Sequence, residues 1–483
     1  MRKYNSLILV ILLMASAILF LIFRENISNT SKESDRGNPE KGLVEKKSVE
    51  IPFDMPAIPN INFSDRICTL TDYNAIGDGK FLNTKNFQSA ITDCAKQGGG
   101  TVIVPPGIWL TGPIRLESNI NLHLEEGARI LFSDTFSDYL PPVLTRFEGM
   151  ELYNYAPFIS AKDCSNIAIT GKGELDGQGD AWLTWNDIMQ NSNSDVSLKK
   201  VATNKLYEMS VRNIPVEKRA FGTEKDAIQP AFIEFMNCRD ILVEEIEILN
   251  SPGWTLHPIY SENIIIRNIY INTSKRNTDG VVIDSSRNVI VENSSLNTGD
   301  DSVVIKSGKD HDGWRINKPS ENIIIHDIVI EDGNSGIAIG SEMSGDVRNV
   351  FIYNIDIQVA DFGIRFKSMR GRGGIVENIW IDNVFMRRMN FGAIELDTKY
   401  GTPIAGYDES KLPVFRNIEI KNVECRRTKD AIRLSGLSES PLRNITLENI
   451  SILSSRGVTI ENIEEKHLKN VSVTVKGKPI SIE

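Results

Sequence analysis

Asn322-Ile323-Ile324-Ile325, Asn349-Val350-Phe351-Ile352 and Asn378-Ile379-Trp380-Ile381 are three versions of one phrase, a polar residue opening a short β-type apolar run. The phrase also occurs at Asn119-Ile120-Asn121-Leu122, Asn166-Ile167-Ala168-Ile169, Asn263-Ile264-Ile265-Ile266 and Asn288-Val289-Ile290-Val291. It closes the chain at Asn417-Ile418-Glu419-Ile420, Asn444-Ile445-Thr446-Leu447 and Asn470-Val471-Ser472-Val473. From Asn263 the starts fall mostly about 25–30 residues apart, which marks a repeat architecture rather than a string of domains. Isoleucine and valine stiffen strands, and asparagine tolerates the left-handed backbone of tight turns. No helical pattern of useful length interrupts the repeats, so strands with no room for crossover helices predict an all-β parallel β-helix. Each coil stacks on the last and buries a continuous aliphatic column. The repeated asparagines are read as structural, their stacked amides satisfying one another.

Upstream, Asn83 or Thr84 can cap a helix carrying Phe87, Ala90, Ile91 and Cys94 at helical spacing, stopped by Gly98-Gly99-Gly100. One short helix ahead of a strand-rich body suits a cap on the open end of a solenoid. At the very start, Arg2 and Lys3 precede an apolar run from Leu7 to Phe23, followed by Arg24. That is an export signal, and the reading favours an uncleaved anchor through residues 7–23 over a cleaved signal peptide ending by residue 24. The body is therefore expected outside the cytoplasm, periplasmic or at the cell surface. Residues 25–52 read as a flexible polar tether, and 53–483 as one domain with folded structure starting near Cys68.

Of 483 residues, 41% are hydrophobic, enough for most of the chain to pack. A net charge of −10 argues against nucleic acid as a partner. Five scattered cysteines with no CxxC pair give no support to a zinc or redox motif. They read as buried hydrophobes, with a Cys68–Cys94 disulfide left open. A monomer is expected.

Two stretches break the rhythm: residues 177–230, with Trp182 and Trp185, and the charged run 306–320. Between them lie Asn277-Thr278-Asp279 and Gly299-Asp300-Asp301, each where an extended stretch ends. If the two turns are neighbours, three carboxyls crowd one spot, a costly arrangement that suits a proton donor beside a base. Later repeats add Gly340-Ser341-Glu342 and Gly363-Ile364-Arg365-Phe366-Lys367, in which Arg365 and Lys367 alternate onto one strand face. With Arg370 and Arg372 they form a cationic patch on an acidic protein, fit to grip a carboxylate.

This ordered set, ending in Lys399-Tyr400-Gly401, resembles glycoside hydrolase family 28, the polygalacturonases, over roughly residues 68–475. The resemblance implies a right-handed β-helix that hydrolyses α-1,4-galacturonosidic bonds of pectin with inversion, without metal or cofactor. It implies Asp300 as general acid, Asp279 and Asp301 holding and deprotonating the water, Arg365 and Lys367 gripping the galacturonate carboxylate, and Tyr400 lining the subsite. Asn277, Glu342, His257, Lys306 and Arg372 complete the expected substrate contacts, with a structural role for His257 weighed equally. Many members carry Gly-His-Gly where this chain has Gly340-Ser341-Glu342; bacterial exo-acting relatives resemble this variant, and the insertions favour attack at the chain end. Alternatives are a rhamnogalacturonan galacturonohydrolase of the same family, a pectate-lyase-type enzyme, and a non-catalytic glycan-binding solenoid.

Overall fold

The structure, a computed structural model, describes residues 49–183, 197–223, 225–401 and 406–480. The apolar segment 7–23 and nearly all of the expected tether lie outside the described residues. Among the described residues no helix is long and apolar enough to cross a membrane.

The repeating phrases are rungs of a parallel β-helix, right-handed as parallel crossovers are. Val289, Ile323, Val350, Ile379, Ile418 and Ile445 stand in register on successive coils, all shut away from solvent. A second inward column on another face runs Val281, Val303, Ile337, Ile364, Ile394, Ile432. Each such side chain contributes roughly 1.5–3 kcal/mol on burial, and only where a coil above and below covers it. The stack therefore needs closed ends. The helix Thr84–Lys96 covers the first, burying Phe87, Ala90, Ile91 and Cys94, and the antiparallel pairing of Lys466–Val475 with Lys478–Ile480 finishes the other.

The asparagine phrases form a ladder. The Asn322 side-chain amide donates to Asn288, Asn349 to Asn322, Asn378 to Asn349, Asn417 to Asn378 and Asn444 to Asn417, at 2.9–3.4 Å. All have φ between 50° and 56°, the left-handed region in which asparagine costs least after glycine. Asn470 corrects the sequence reading. It donates to Asn449, which donates to Asn422, so it belongs to a second ladder at a different corner. Both corners demand the same backbone, so both carry the same local signal.

Asn83 does not cap its helix. Its side chain instead pins the Ile76 and Leu110 backbones. All five cysteines are free thiols, Cys68 and Cys94 included. Ordered packing also begins upstream of Cys68: Phe53 stacks on Trp380 at 5.9 Å, and Asn62 accepts from Asn166.

The irregular stretches are not solvated decoration. A hairpin that the sequence reading missed, Val143–Phe147 with Met150–Asn154, packs Phe147, Met150 and Leu152 against Leu206, Tyr207 and Ile228. Leu206 and Tyr207 come from the helix Leu198–Val211, inside the 177–230 insertion. The run expected as a charged loop at 306–320 contains a helix, Asp310–Ile316, with its acids turned inward. Asp312, fully buried, accepts from the Glu151 backbone N–H, Ser210 Oγ and Arg219 Nη1 at 2.7–3.1 Å. One carboxylate thus ties hairpin, long helix and short helix into a single wall.

Candidate active site

Strands Val281–Asp284, Val303–Lys306, Ser335–Ile339 and the end of Val347–Lys367 lie side by side on one face. The turns feeding the first two carry the aspartates. Gly280 N–H donates to the Asp301 carbonyl at 2.9 Å, which sets the two turns one above the other. The glycines are there for close approach: a Cβ on Gly299 would stand 1.9 Å from the Lys275 carbonyl oxygen, and one on Gly280 2.4 Å from that of Ser302. Thr298 Oγ1 locks the second turn through the Asp300 carbonyl and Ser302 Oγ, both at 2.9 Å.

The structure brings Asp279, Asp300 and Asp301 together, with one oxygen of each within 4.8 Å of the others. Asp279 and Asp301 are buried and Asp300 is half-buried. Asp300 is fixed by two backbone donors, Asn277 N–H on Oδ2 at 3.1 Å and Asp301 N–H on Oδ1 at 3.0 Å. Lys367 Nζ donates to Asp301 Oδ2 at 2.5 Å, while among the described residues the buried Oδ1 has no hydrogen-bond partner, an acceptor suited to a water. Lys306 Nζ lies 3.8 Å from Asp279, 2.9 Å from Glu342 and 4.5 Å from the Trp254 ring centre.

These surroundings split the trio. Burial, then the Asp300 charge, pushes Asp279 well above the ordinary carboxylate range. Burial and Asp301 push Asp300 up as well. Burial would also raise Asp301, but Lys367 and Lys306 outweigh it and hold this carboxyl below its usual value. The site therefore keeps one firm carboxylate beside two carboxyls that resist ionisation, the pairing acid–base chemistry at neutral pH needs. The same three groups have the donor chemistry of a cation site, but two ammonium groups already stand among them.

Arg365 and Lys367 do share a strand face. Arg365 Nε donates to Glu395 Oε1 at 2.8 Å, and its guanidinium lies 3.5 Å from the Phe362 ring centre and 5.1 Å from that of Tyr400. Tyr400 also sits 5.8 Å from Lys367 Nζ. Glu395 was missed although its signal was present: it stands opposite Arg365 on the next coil, in the same alternation.

Three expected substrate contacts have protein partners of their own. His257 is wholly buried, Nε2 3.4 Å from Asp284, with burial pushing its pKa down, which fits the structural role weighed for it. Arg372 is buried and spent on Asp310 at 2.9 Å. Glu342 is buried against Lys306, and although burial opposes its charge, Lys306 and Lys309 hold it well below the usual range. Its role here is to hold an ammonium at the trio. Arg370 pairs with Glu439 at the rim. Asn277 spends its backbone N–H on Asp300 and its side-chain oxygen on Lys199.

Lys199 was not foreseen. It comes from the helix Leu198–Val211 rather than from any coil, and no local motif announces it. Next to it, Thr145, Arg146, Phe147, Trp254, His257 and Asn277 line a narrow cleft whose cavity, about 10 Å3, has room for a single water.

Clustered carboxyls on the flank of a parallel β-helix, flanked by cations and aromatic rings, define a polysaccharide-cleaving type of protein. Residues 217–474 match the glycosyl hydrolases family 28 model. A probable polygalacturonase of Vitis vinifera is 32% identical over 80% of this chain and 74% of its own length. An exo-poly-alpha-D-galacturonosidase of Dickeya chrysanthemi is 25% identical, covering 84% and 71%. Among solved structures, a hyperthermoactive exopolygalacturonase from Thermotoga maritima superposes with a TM-score of 0.76 and 38% identity, covering 85% of this chain and 94% of that one. The chain belongs to glycosyl hydrolase family 28 and is a glycoside hydrolase.

Proposed function

We propose that the enzyme hydrolyses α-1,4-galacturonosidic bonds of pectic galacturonan, releasing galacturonic acid from the non-reducing end of oligomers with inversion. The observation that carries this is the clustering of the three aspartates beside Lys367 and Arg365, with Lys367 paired to Asp301 alone. Asp300 acts as general acid: of the two carboxyls whose surroundings disfavour ionisation, it is the one that reaches solvent. Asp301, kept ionised by Lys367, takes the proton of the attacking water, and Asp279 helps to hold that water. Lys367, Arg365 and Tyr400 take the galacturonate on the later-coil side of the scissile bond. The hairpin and the Leu198–Val211 helix pack together and reach the trio through Lys199 and Asn277, an insertion beside the site that supports attack at a chain end.

Inversion usually goes with carboxyl groups about 6.5–9.5 Å apart, and the closest oxygens of this trio are nearer than that. The inverting assignment rests instead on the family likeness and on the presence of three carboxyls, which leaves two to manage a water. The exported location, with residues 7–23 as a membrane anchor, is part of the same proposal, since a polymer substrate is met outside the cell.

Defined oligogalacturonides followed by product chromatography, with the anomer of the first product read by proton NMR, test this reading. Monogalacturonate from the first turnover, born as the β-anomer, is expected. A ladder of mid-sized products removes the exo assignment, an α-anomer removes inversion, and unsaturated products removing light near the ultraviolet edge mark a lyase.

A further inference from the structure

Nearly every cation around the site is already matched. Lys367 pairs with Asp301, Lys306 with Glu342, Arg365 with Glu395, Arg372 with Asp310, and Arg146 with Asp284 at 3.3 Å. Lys199 differs. Among the described residues its ammonium has no carboxylate within ion-pair distance, and its recorded partners are the neutral Asn277 side-chain oxygen and the Phe147 ring, 5.8 Å away. Burial pushes its pKa down, while Glu148, Asp279 and Asp300 act against that from further off. A half-buried ammonium without a counter-charge is costly in a resting protein, and an incoming anion relieves that cost.

Its position says which anion. Asn277 links Lys199 directly to the acid, since the backbone N–H of the same residue holds Asp300 Oδ2. Asp279 and Asp301 sit on consecutive coils, and Arg365 follows on a later one. Lys199 reaches Asn277 from the inserted helix, beside the Phe147 ring of the hairpin, and not from any of those coils. On the exo reading, a sugar bound on that side of the trio is the one released.

We propose that Lys199 is the specificity residue for the terminal uronate: its ammonium takes the C6 carboxylate of the sugar bound on that side of the trio. This deepens the exo-galacturonanase reading and rests on it. The cation that recognises the released sugar is carried on an inserted helix, and the cations that grip the remaining chain are carried on the coils. A chain-end sugar with an uncharged C6 group is rejected even when the next residues are all galacturonate.

Trigalacturonate is compared with the same trisaccharide methyl-esterified only at its non-reducing-terminal residue, using wild type, Lys199→Met and Lys199→Arg, with circular dichroism to check folding. Wild type is expected to lose about 10–100-fold in kcat/KM on the ester, the range a charge-assisted hydrogen bond supports. Lys199→Met should lose about as much on the acid and then differ less than about threefold between acid and ester, while Lys199→Arg keeps the discrimination. Should Lys199→Met misfold, Lys199→Gln carries the same test. A wild type indifferent to the terminal ester, or a methionine variant that still discriminates like wild type, overturns the assignment while leaving the galacturonanase reading intact. A wild type inert on every galacturonide removes that reading first.

Discussion

Asp279→Asn removes one of three crowded carboxyls while keeping its shape. Asp279 is 2% exposed and its nearest opposite charge, Lys306, is 3.8 Å away. At an effective dielectric of about 20, Lys306 favours the ionised form by about 4.4 kcal/mol, while Asp301, no more than 4.8 Å away, disfavours it by at least about 3.5 kcal/mol. These nearly cancel, so burial and the share of charge on Asp300 decide, and the pKa is raised. A carboxyl with a raised folded-state value keeps a proton that the unfolded chain gives up, so native stability falls as pH climbs from about 4 toward 7. Holding that proton costs about 1.4 kcal/mol per unit above about 3.9, hence at most about 4 kcal/mol at pH 7. The variant should be more stable than wild type at pH 7, by no more than that ceiling, and equal to it at pH 4, as read by urea unfolding at both values. Turnover of trigalacturonate should drop about 10²–10⁴-fold in the same preparation. A variant less stable than wild type at pH 7, or an increment that does not change with pH, refutes the electrostatic account of the trio.

Lys367→Met strips Asp301 of its hydrogen-bonded counter-charge. Asp301 then rises, so the acid limb of the kcat/KM profile should move to higher pH while stability drops by about 3–5 kcal/mol, the cost of an orphaned buried charge; an unmoved acid limb means that Asp301 is not the base. In the ladder, Asn378→Ala should cost about 1–2 kcal/mol because it loses both an amide bridge and an easy left-handed backbone, and Asn378→Gly should recover part of that, measured by thermal unfolding at a fixed scan rate. Equal losses for the two variants would show that the backbone conformation contributes nothing.

Much of this protein is legible as text because its coils repeat. The phrase at Asn322, Asn349 and Asn378 reports strand, turn and register together, since every coil solves the same packing problem with the same residues. The aspartate trio was readable for a related reason: residues one coil apart in sequence are neighbours in space, so two turns that look alike must stack. Asn470 shows the limit of that logic, because two corners with one backbone requirement cannot be told apart locally. What the coils do not carry was invisible. The Val143–Asn154 hairpin, the buried acids of Asp310–Ile316 and the approach of Lys199 depend on contacts between segments far apart in the chain, through Asp312 and Asn277. Tertiary structure also supplied the partners of His257, Glu342 and Arg372, since a charged residue in a loop reads the same whether it faces a groove or a buried partner. Repetition fixed the scaffold and the place of the carboxyls from the amino-acid order alone. Burial and counter-charges, which arise only once the chain is stacked, decided which carboxyl is favoured in its ionised form and which cation stands without a carboxylate partner among the described residues.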